Sequence, residues 1–343
     1  MTASQDINRQ WLLKSRPSGM VGQDNFEYAE SAIPEPDVQS GQVLLKNLYL
    51  SFDPAMRGWM DDEPSYLPPV QIGEAMRASS IAKVIRSTNS AWPEGSLVQG
   101  MFGWQDYAVA GPDDLIPPTA VAEGIPPTTV LSVFGGSSLT AYFGMMDVGR
   151  PQPGETVLVS GAAGAVGSVA VQLAKLKGCR VIAIAGTDEK CQWLKEECGA
   201  DEAINYKTRN IQQCLSELCP SGIDIFFDNV GGKTLEDAIE HMAEFGRIVL
   251  CGQISEYNSA EAQAGPTNLK YLITRRIKMQ GFIMLDYLDR IDEAAGKLGE
   301  WVMSGQIKYR EDIQEGFDRI PATLERLFKG ENKGKQLLAL EPS

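Results

Sequence analysis

The stretch "VLVSGAAGAVGSVAVQLAK" occupies residues 157–175. A short apolar run ends in three glycines spaced three apart, Gly161, Gly164 and Gly167, and small residues then lead to Lys175. The run reads as a buried strand, and the segment behind it as a helix closed by Gly178. Side chains at the glycines would keep the backbone away from a pyrophosphate, which rests on free N–H groups and the positive end of a helix dipole. With Ala163, Ala165 and Val166 between the glycines, the turn is either a dinucleotide cradle or simply a tight strand-to-helix junction. Its surroundings decide between them.

From about residue 132 strands and helices alternate. "RVIAIAG" (180–186) is a strand, "DEKCQWLKEECG" (188–199) a helix closed by Gly199, and "EAINY" (202–206) a short strand. "NIQQCLSELCPSG" (210–222) is a helix, "IDIFFDNVGG" (223–232) a strand, "TLEDAIEHMAEFG" (234–246) a helix closed by its glycine, and "RIVLCG" (247–252) a strand. Repeated strand–helix–strand means parallel strands with helical crossovers, an α/β doubly wound Rossmann sheet. Within it the glycine turn is read as the cradle. Residues 1–131 are instead β-rich and broken by "PEPD", "LPP", "WPEG" and "GPDDLIPP", with "QVLLKNLYLSF" (42–52) as a strand. An amphipathic helix is expected near 286–304, and the last strand, "GKQLLALE" (334–341), is expected to return to this first region. The expected domains are 132–307 and, from both ends of the chain, 1–131 with 308–343.

Composition narrows the function. The chain has 343 residues, 43% apolar and 22% charged, with a net charge of −14. A length like this favours two domains. The acidic balance argues against nucleic acid or an anionic membrane as partner, since both need a basic surface. No apolar run approaches the roughly 18–20 residues that span a bilayer, and a soluble, cytoplasmic protein is expected. The six cysteines all lie between Cys179 and Cys251 and are expected as reduced, packed thiols.

The end of the strand after the glycine turn indicates which dinucleotide binds. An NAD enzyme usually offers an acid there, about 20 residues past the motif, to hold the ribose 2′-hydroxyl. Here the strand runs into Gly186 and Thr187, both uncharged; Asp188 and Glu189 come later, as first-turn helix residues behind a Thr187 cap. Lys190 sits against the helix dipole, which a 2′-phosphate would compensate. NADP is therefore preferred.

Missing donors matter equally. Residues 1–178 contain no cysteine and no histidine, and His241, the single histidine, lies in a helix apart from any ligand cluster. Zinc sites need Cys, His or carboxylate ligands, usually with a thiolate or imidazole among them. No metal is expected. A metal-free site cannot easily deprotonate a plain alcohol. Reducing a conjugated C=C–C=O asks less of it: hydride at the β-carbon and hydrogen-bond donors at the enolate oxygen.

On these motifs the chain resembles the zinc-independent medium-chain dehydrogenase/reductases of the leukotriene B4 dehydrogenase, prostaglandin reductase and NADPH-dependent curcumin reductase group. The likeness spans nearly the whole chain. It is carried by "LYLSFDPAMRGWM" (48–60), the run 137–194, "NYK" (205–207), "FDNVGG" (227–232), "CGQISEYN" (251–258), "QGFIM" (280–284) and "ENKGK" (331–335). It implies a GroES-like catalytic domain beside the Rossmann domain, and a homodimer. It also implies that Lys190 and Tyr206 hold the 2′-phosphate. Further cofactor contacts are implied at Gly186, Thr187, Asn229, Cys251, Gly252, Ile254, Phe282, Ile283 and Asn332. Tyr257 is implied beside the nicotinamide ribose as the catalytic residue, with Met56, Arg57 and Met284 toward the substrate; Arg57 reads equally well as a structural ion pair. Two departures stand out: Ala55 replaces the group's usual tyrosine, and Ser137 and Ser138 precede "LTAY" in place of Gly or Pro.

The expected activity is NADPH-dependent reduction of small enones or enals. Quinone reduction and a non-catalytic NADPH-binding role remain open on sequence alone. NADPH should outperform NADH when both are assayed side by side; equal efficiency would remove the case for Lys190 and Tyr206.

Overall fold

In the computed structural model, which describes residues 7–261 and 264–341, the chain divides into two units. One comprises Met1–Leu131 with Glu311–Ser343, the other Ser132–Arg310.

The second unit follows from apolar residues placed on both faces of short strands. Val157 and Val159 enter one core cluster and Leu158 the other; likewise Ala183 and Phe227 face one side, Ile182 and Phe226 the opposite one. A strand with two apolar faces needs cover on both, which only helical crossovers supply. The strands are β1 (Thr156–Val159), β2 (Arg180–Ala185), β3 (Glu202–Asn205), β4 (Ile223–Asp228), β5 (Met242–Leu250) and β6 (Lys278–Gly281). All their pairings are parallel, in the order β3-β2-β1-β4-β5-β6. This is the doubly wound Rossmann order, whose direction reverses between β1 and β4.

The helices of eight residues or more in this unit are α1 (Gly136–Phe143), α2 (Ala165–Leu176), α3 (Asp188–Glu196), α4 (Ile211–Leu218), α5 (Gly232–His241) and α6 (Ile291–Met303). Residues of α1, α2, α3 and α6 enter the first core cluster; those of α4 and α5 enter the second. The expected helix near 286–304 is thus α6, preceded by tighter turns over Met284–Arg290.

Gly178, Gly199 and Gly222, beyond the ends of α2, α3 and α4, have φ of +78°, +75° and +93°. One boundary is corrected. α5 does not run on to Gly246: it ends at His241, and β5 starts at once. The left-handed residue is Phe245, with φ +62°, and not the glycine. A Cβ on Gly246 would lie 2.7 Å from Met242 Cε and 3.1 Å from the Ala243 carbonyl, so the glycine serves a close fold-back. Phe245 is exposed, with the Arg276 guanidinium over its ring at 4.6 Å.

In the first unit, a seven-stranded sheet runs Glu311–Glu315, Lys335–Ala339, Val43–Ser51, Ser80–Arg86, Leu97–Gly100, Thr119–Ala120, with Tyr107–Ala110 also on Val43–Ser51. The returning strand pairs antiparallel with the strand "VLLKNLYLS", Leu337 opposite Ser51. A two-stranded antiparallel sheet, Ile7–Leu13 and Phe26–Ala32, completes it. Among the described residues no helix is long and apolar enough to cross a membrane.

The Gly222 turn tests the packing of this topology. A Cβ there would come within 2.7 Å of Ala243 Cα, on a backbone with φ +93°. Gly222→Ala should destabilise the protein by about 1–3 kcal/mol, read as a lower urea midpoint at unchanged m-value.

Candidate active site

In a parallel sheet every strand delivers its next residues to the same edge, where ligands of such folds bind. The sequence-predicted segments fall there one by one. Gly161 follows β1 by two residues; Gly186, Tyr206, Asn229, Cys251 and Phe282 each immediately follow the last residue of β2, β3, β4, β5 and β6.

The glycine turn has the features a dinucleotide requires. Gly161 takes φ +55°, and Gly164 is the N-cap of α2, with extended backbone. Ser168 makes the first intrahelical N–H bond, to the Gly164 carbonyl at 3.0 Å. The N–H groups of Ala165, Val166 and Gly167 therefore form the open first turn. Ala163 is buried beneath it. A Cβ on Gly167 would stand 2.6 Å from Ala162 Cα, so helix and turn approach as closely as glycine allows. These residues fit a dinucleotide.

At the next corner Thr187 caps α3, its hydroxyl accepting the Lys190 N–H at 3.2 Å, as the sequence indicates. Lys190 is half-buried. A Cβ on Gly186 would lie 3.1 Å from the Tyr206 hydroxyl and ring; the bare glycine is what lets Tyr206 lie across it, half-exposed.

Two residues that sequence reasoning missed organise the centre of this edge. Asp228 has no exposed surface. Its carboxylate accepts the Ser160 hydroxyl at 2.6 Å, the Val230 N–H at 3.0 Å and the Gly231 N–H at 3.1 Å. Burial pushes its pKa up, an effect those donors oppose. Its carbonyl accepts the Cys251 N–H at 2.9 Å and the Gly252 N–H at 3.1 Å. Ser160 in turn accepts the Asn229 N–H on its hydroxyl at 2.9 Å and Asn229 Nδ2 on its carbonyl at 2.7 Å. A serine directly before a glycine turn and an acid ending an apolar strand were the available signals.

The loop after β5 is fastened to the same place, with Ile254 N–H on the Asn229 carbonyl at 3.3 Å. In it Tyr257 is half-buried, and its hydroxyl oxygen accepts the Gln253 N–H at 3.1 Å. A Cβ on Gly252 would stand 3.1 Å from that oxygen, so here too glycine admits a tyrosine hydroxyl. Cys251 is a free thiol whose pKa burial raises to about 12, the nearby Asp228 charge adding to the effect, so it stays protonated. The Phe282 ring packs against Gly144, so its backbone is what it presents at the strand end. Ile283 follows in extended conformation, and Met284 Cε lies 3.8 Å from where a Gly136 Cβ would be. Ser138, one of the departures noted above, donates its hydroxyl to the Ser132 carbonyl at 2.8 Å.

In the first unit, Met56 and Arg57 lie on the single turn Ala55–Gly58. Met56 is fully buried. Arg57 is also buried, its guanidinium donating to Asp61 at 2.6 Å and to the Pro17 carbonyl at 2.8 Å. Just before the turn, Asp53 accepts Lys335 Nζ at 2.5 Å and the Ser51 hydroxyl at 2.7 Å. Lys335 is buried, as is Asn332, which donates to the Gly334 carbonyl at 2.8 Å.

Comparison with known proteins agrees with this architecture. A model described as the N-terminal domain of oxidoreductase matches residues 9–117, and one described as zinc-binding dehydrogenase matches residues 165–299. The zinc of that description does not fit this chain's donors. Residues 1–178 lack cysteine and histidine, and no group of three or more His, Cys, Asp or Glu among the described residues is arranged to hold a metal. The NADPH-dependent curcumin reductase of Escherichia coli (strain K12) is 41% identical, covering 96% of each chain. The 2-alkenal reductase (NADP(+)-dependent) of Nicotiana tabacum is 37% identical, covering 98% of each. The crystal structure of CurA in complex with NADPH from Vibrio vulnificus superposes with a TM-score of 0.90 at 40% identity, covering 98% of this chain and 100% of that one. With a match covering 96–98% of each chain, a 3-2-1-4-5-6 sheet and no zinc donor set among the described residues, the chain belongs to the zinc-independent group of medium-chain dehydrogenase/reductases that includes the curcumin and 2-alkenal reductases.

Proposed function

We propose that this protein is an NADPH-dependent ene reductase that reduces the C=C bond of α,β-unsaturated ketones and aldehydes. The relatives' names place the chemistry in this class, an alkenal being an α,β-unsaturated aldehyde. The observation that carries the reading is the Tyr257 hydroxyl. Its oxygen accepts the Gln253 backbone N–H at 3.1 Å and lies 3.1 Å from where a Gly252 Cβ would stand, which fixes the phenol beside the end of β5.

When bound, NADPH supplies the hydride that reaches the substrate's β-carbon. Negative charge then gathers on the carbonyl oxygen, and Tyr257 is the donor assigned to it; Tyr257 or water returns the proton to the α-carbon. The open N–H groups of Ala165, Val166 and Gly167 hold the pyrophosphate. Lys190 and Tyr206 would hold the 2′-phosphate, with Gly186 and Thr187 as further cofactor contacts. Asn229, Cys251, Gly252, Ile254 and the backbone of Phe282 and Ile283 line the rest, and Ser160 and Asp228 keep these loops in register. The family resemblance assigns Asn332 to the cofactor and Met56, Arg57 and Met284 to the substrate. Arg57 acts by fixing its turn, since its guanidinium is committed to Asp61 and Pro17. A homodimer and a cytoplasmic location complete the proposal; light scattering should then give a mass twice 37.4 kDa.

Mixing the enzyme with NADPH and a panel of enones, enals and a quinone should consume cofactor fastest with an enone or enal; no turnover on any of them refutes the reading. Tyr257→Phe should lower kcat by about 100-fold, with the KM for NADPH within about threefold. Lys190→Ala should raise the KM for NADPH by about 10–100-fold, the loss of one charge-assisted contact, and leave that for NADH unchanged. Ser160→Ala removes one of the three donors on the buried Asp228 carboxylate and takes from the Asn229 N–H its hydroxyl acceptor. It should destabilise the protein by about 1.5–3 kcal/mol in denaturant titration.

A further inference from the structure

β2 ends at Ala185, and the carboxylate of Asp188 follows at the first position of α3. An acid close to the end of this strand is what NAD-binding folds use to accept the ribose 2′-hydroxyl, and a carboxylate there repels a 2′-phosphate. Asp188 is exposed, yet its carboxylate has a defined direction: Asn205 Nδ2 donates to Asp188 Oδ1 at 2.7 Å. The residue that holds it is itself buried and hydrogen-bonded in turn. Asn205 is 6% exposed and sits in the ladder opposite Ala185. Its Oδ1 accepts the Lys207 N–H at 3.1 Å, and its carbonyl accepts those of Thr208 at 3.2 Å and Arg209 at 2.9 Å. The next residue along is Tyr206, which lies across Gly186.

We infer that Asn205 is a specificity-determining residue: by tethering Asp188 it keeps a carboxylate out of the corner made by Gly186, Lys190 and Tyr206, and so makes that corner select a 2′-phosphate over a 2′-hydroxyl. The inference rests on the assignment of that corner made above. An untethered Asp188 acts twice in the same direction. It accepts the 2′-hydroxyl of NADH, and it opposes the doubly charged phosphate of NADPH beside Lys190.

The test is direct binding, followed by nicotinamide fluorescence, of NADPH and NADH to wild type and to N205A, D188N, N205A/D188N, D188E and K190A. The ratio of the two dissociation constants should fall by about tenfold in N205A. It should stay within about threefold of wild type in D188N, where the removed charge was already held aside, and return to that range in N205A/D188N. D188E carries its carboxylate one methylene past the Asn205 amide without touching the buried residue, and should lower the ratio as N205A does. An unchanged ratio in both N205A and D188E overturns the inference. So does an equal fall in N205A and N205A/D188N, which would mean that Asn205 shapes the loop rather than restrains the acid. If N205A does not fold, D188E against D188N decides. K190A separates this outcome from failure of the underlying assignment: if K190A keeps its NADPH preference, the corner is not the phosphate site at all.

Discussion

A carboxylate with no exposed surface stands where the strand order of the Rossmann sheet reverses, and the candidate site depends on it. Removing an ionised carboxylate from water costs far more than one hydrogen bond returns. Asp228 is tolerable there because a hydroxyl and two backbone N–H groups converge on it, from Ser160, Val230 and Gly231. The geometry of that compensation ties the β1 turn to the β4 turn, and the Asp228 carbonyl adds Cys251 and Gly252 from the end of β5. Three loops that parallel strands would otherwise leave to find their own positions are thus fixed to one residue. The glycine turn needs such an anchor. Its open N–H groups bind a pyrophosphate only if the turn is already in place when the ligand arrives, since ordering it on binding would subtract from affinity.

Much of this was legible in the sequence, because the relevant forces act over short spans. The apolar runs of β1, β2 and β4 have two buried faces, and the glycines that close α2, α3 and α4 sit where left-handed backbone is needed. The Thr187 cap and the glycine turn are local motifs too, read from a few consecutive residues. Where the reading went astray, a tertiary contact outweighed the local signal. Gly246 looked like a helix stop, but it serves the fold-back onto Met242 and Ala243, and the positive φ falls on Phe245. The Ser160–Asp228 bond joins residues 68 apart, and Lys335 reaches Asp53 across 282. No periodicity marks such partners; each residue taken singly looks like an ordinary strand end.

The proposed cofactor corner offers one way for an acidic protein to hold a polyanion. At long range a net charge of −14 opposes NADPH. At physiological ionic strength, however, exposed charges are largely screened beyond a Debye length of about 8 Å. Charges within that radius decide, and the proposed site offers the first-turn N–H groups of α2 and Lys190 on α3 as the attraction. The remaining difficulty is local. Asp188 and Glu189 open α3, where acids stabilise the helix through its dipole, so the residues that start the helix well are the wrong sign for the ligand beside it. Deleting them would weaken the helix start. Binding Asp188 to a buried amide from β3 leaves its favourable interaction with the helix intact and changes only where its charge points. On this view the NADPH preference of the site depends on the direction of its acid as well as on the presence of its lysine.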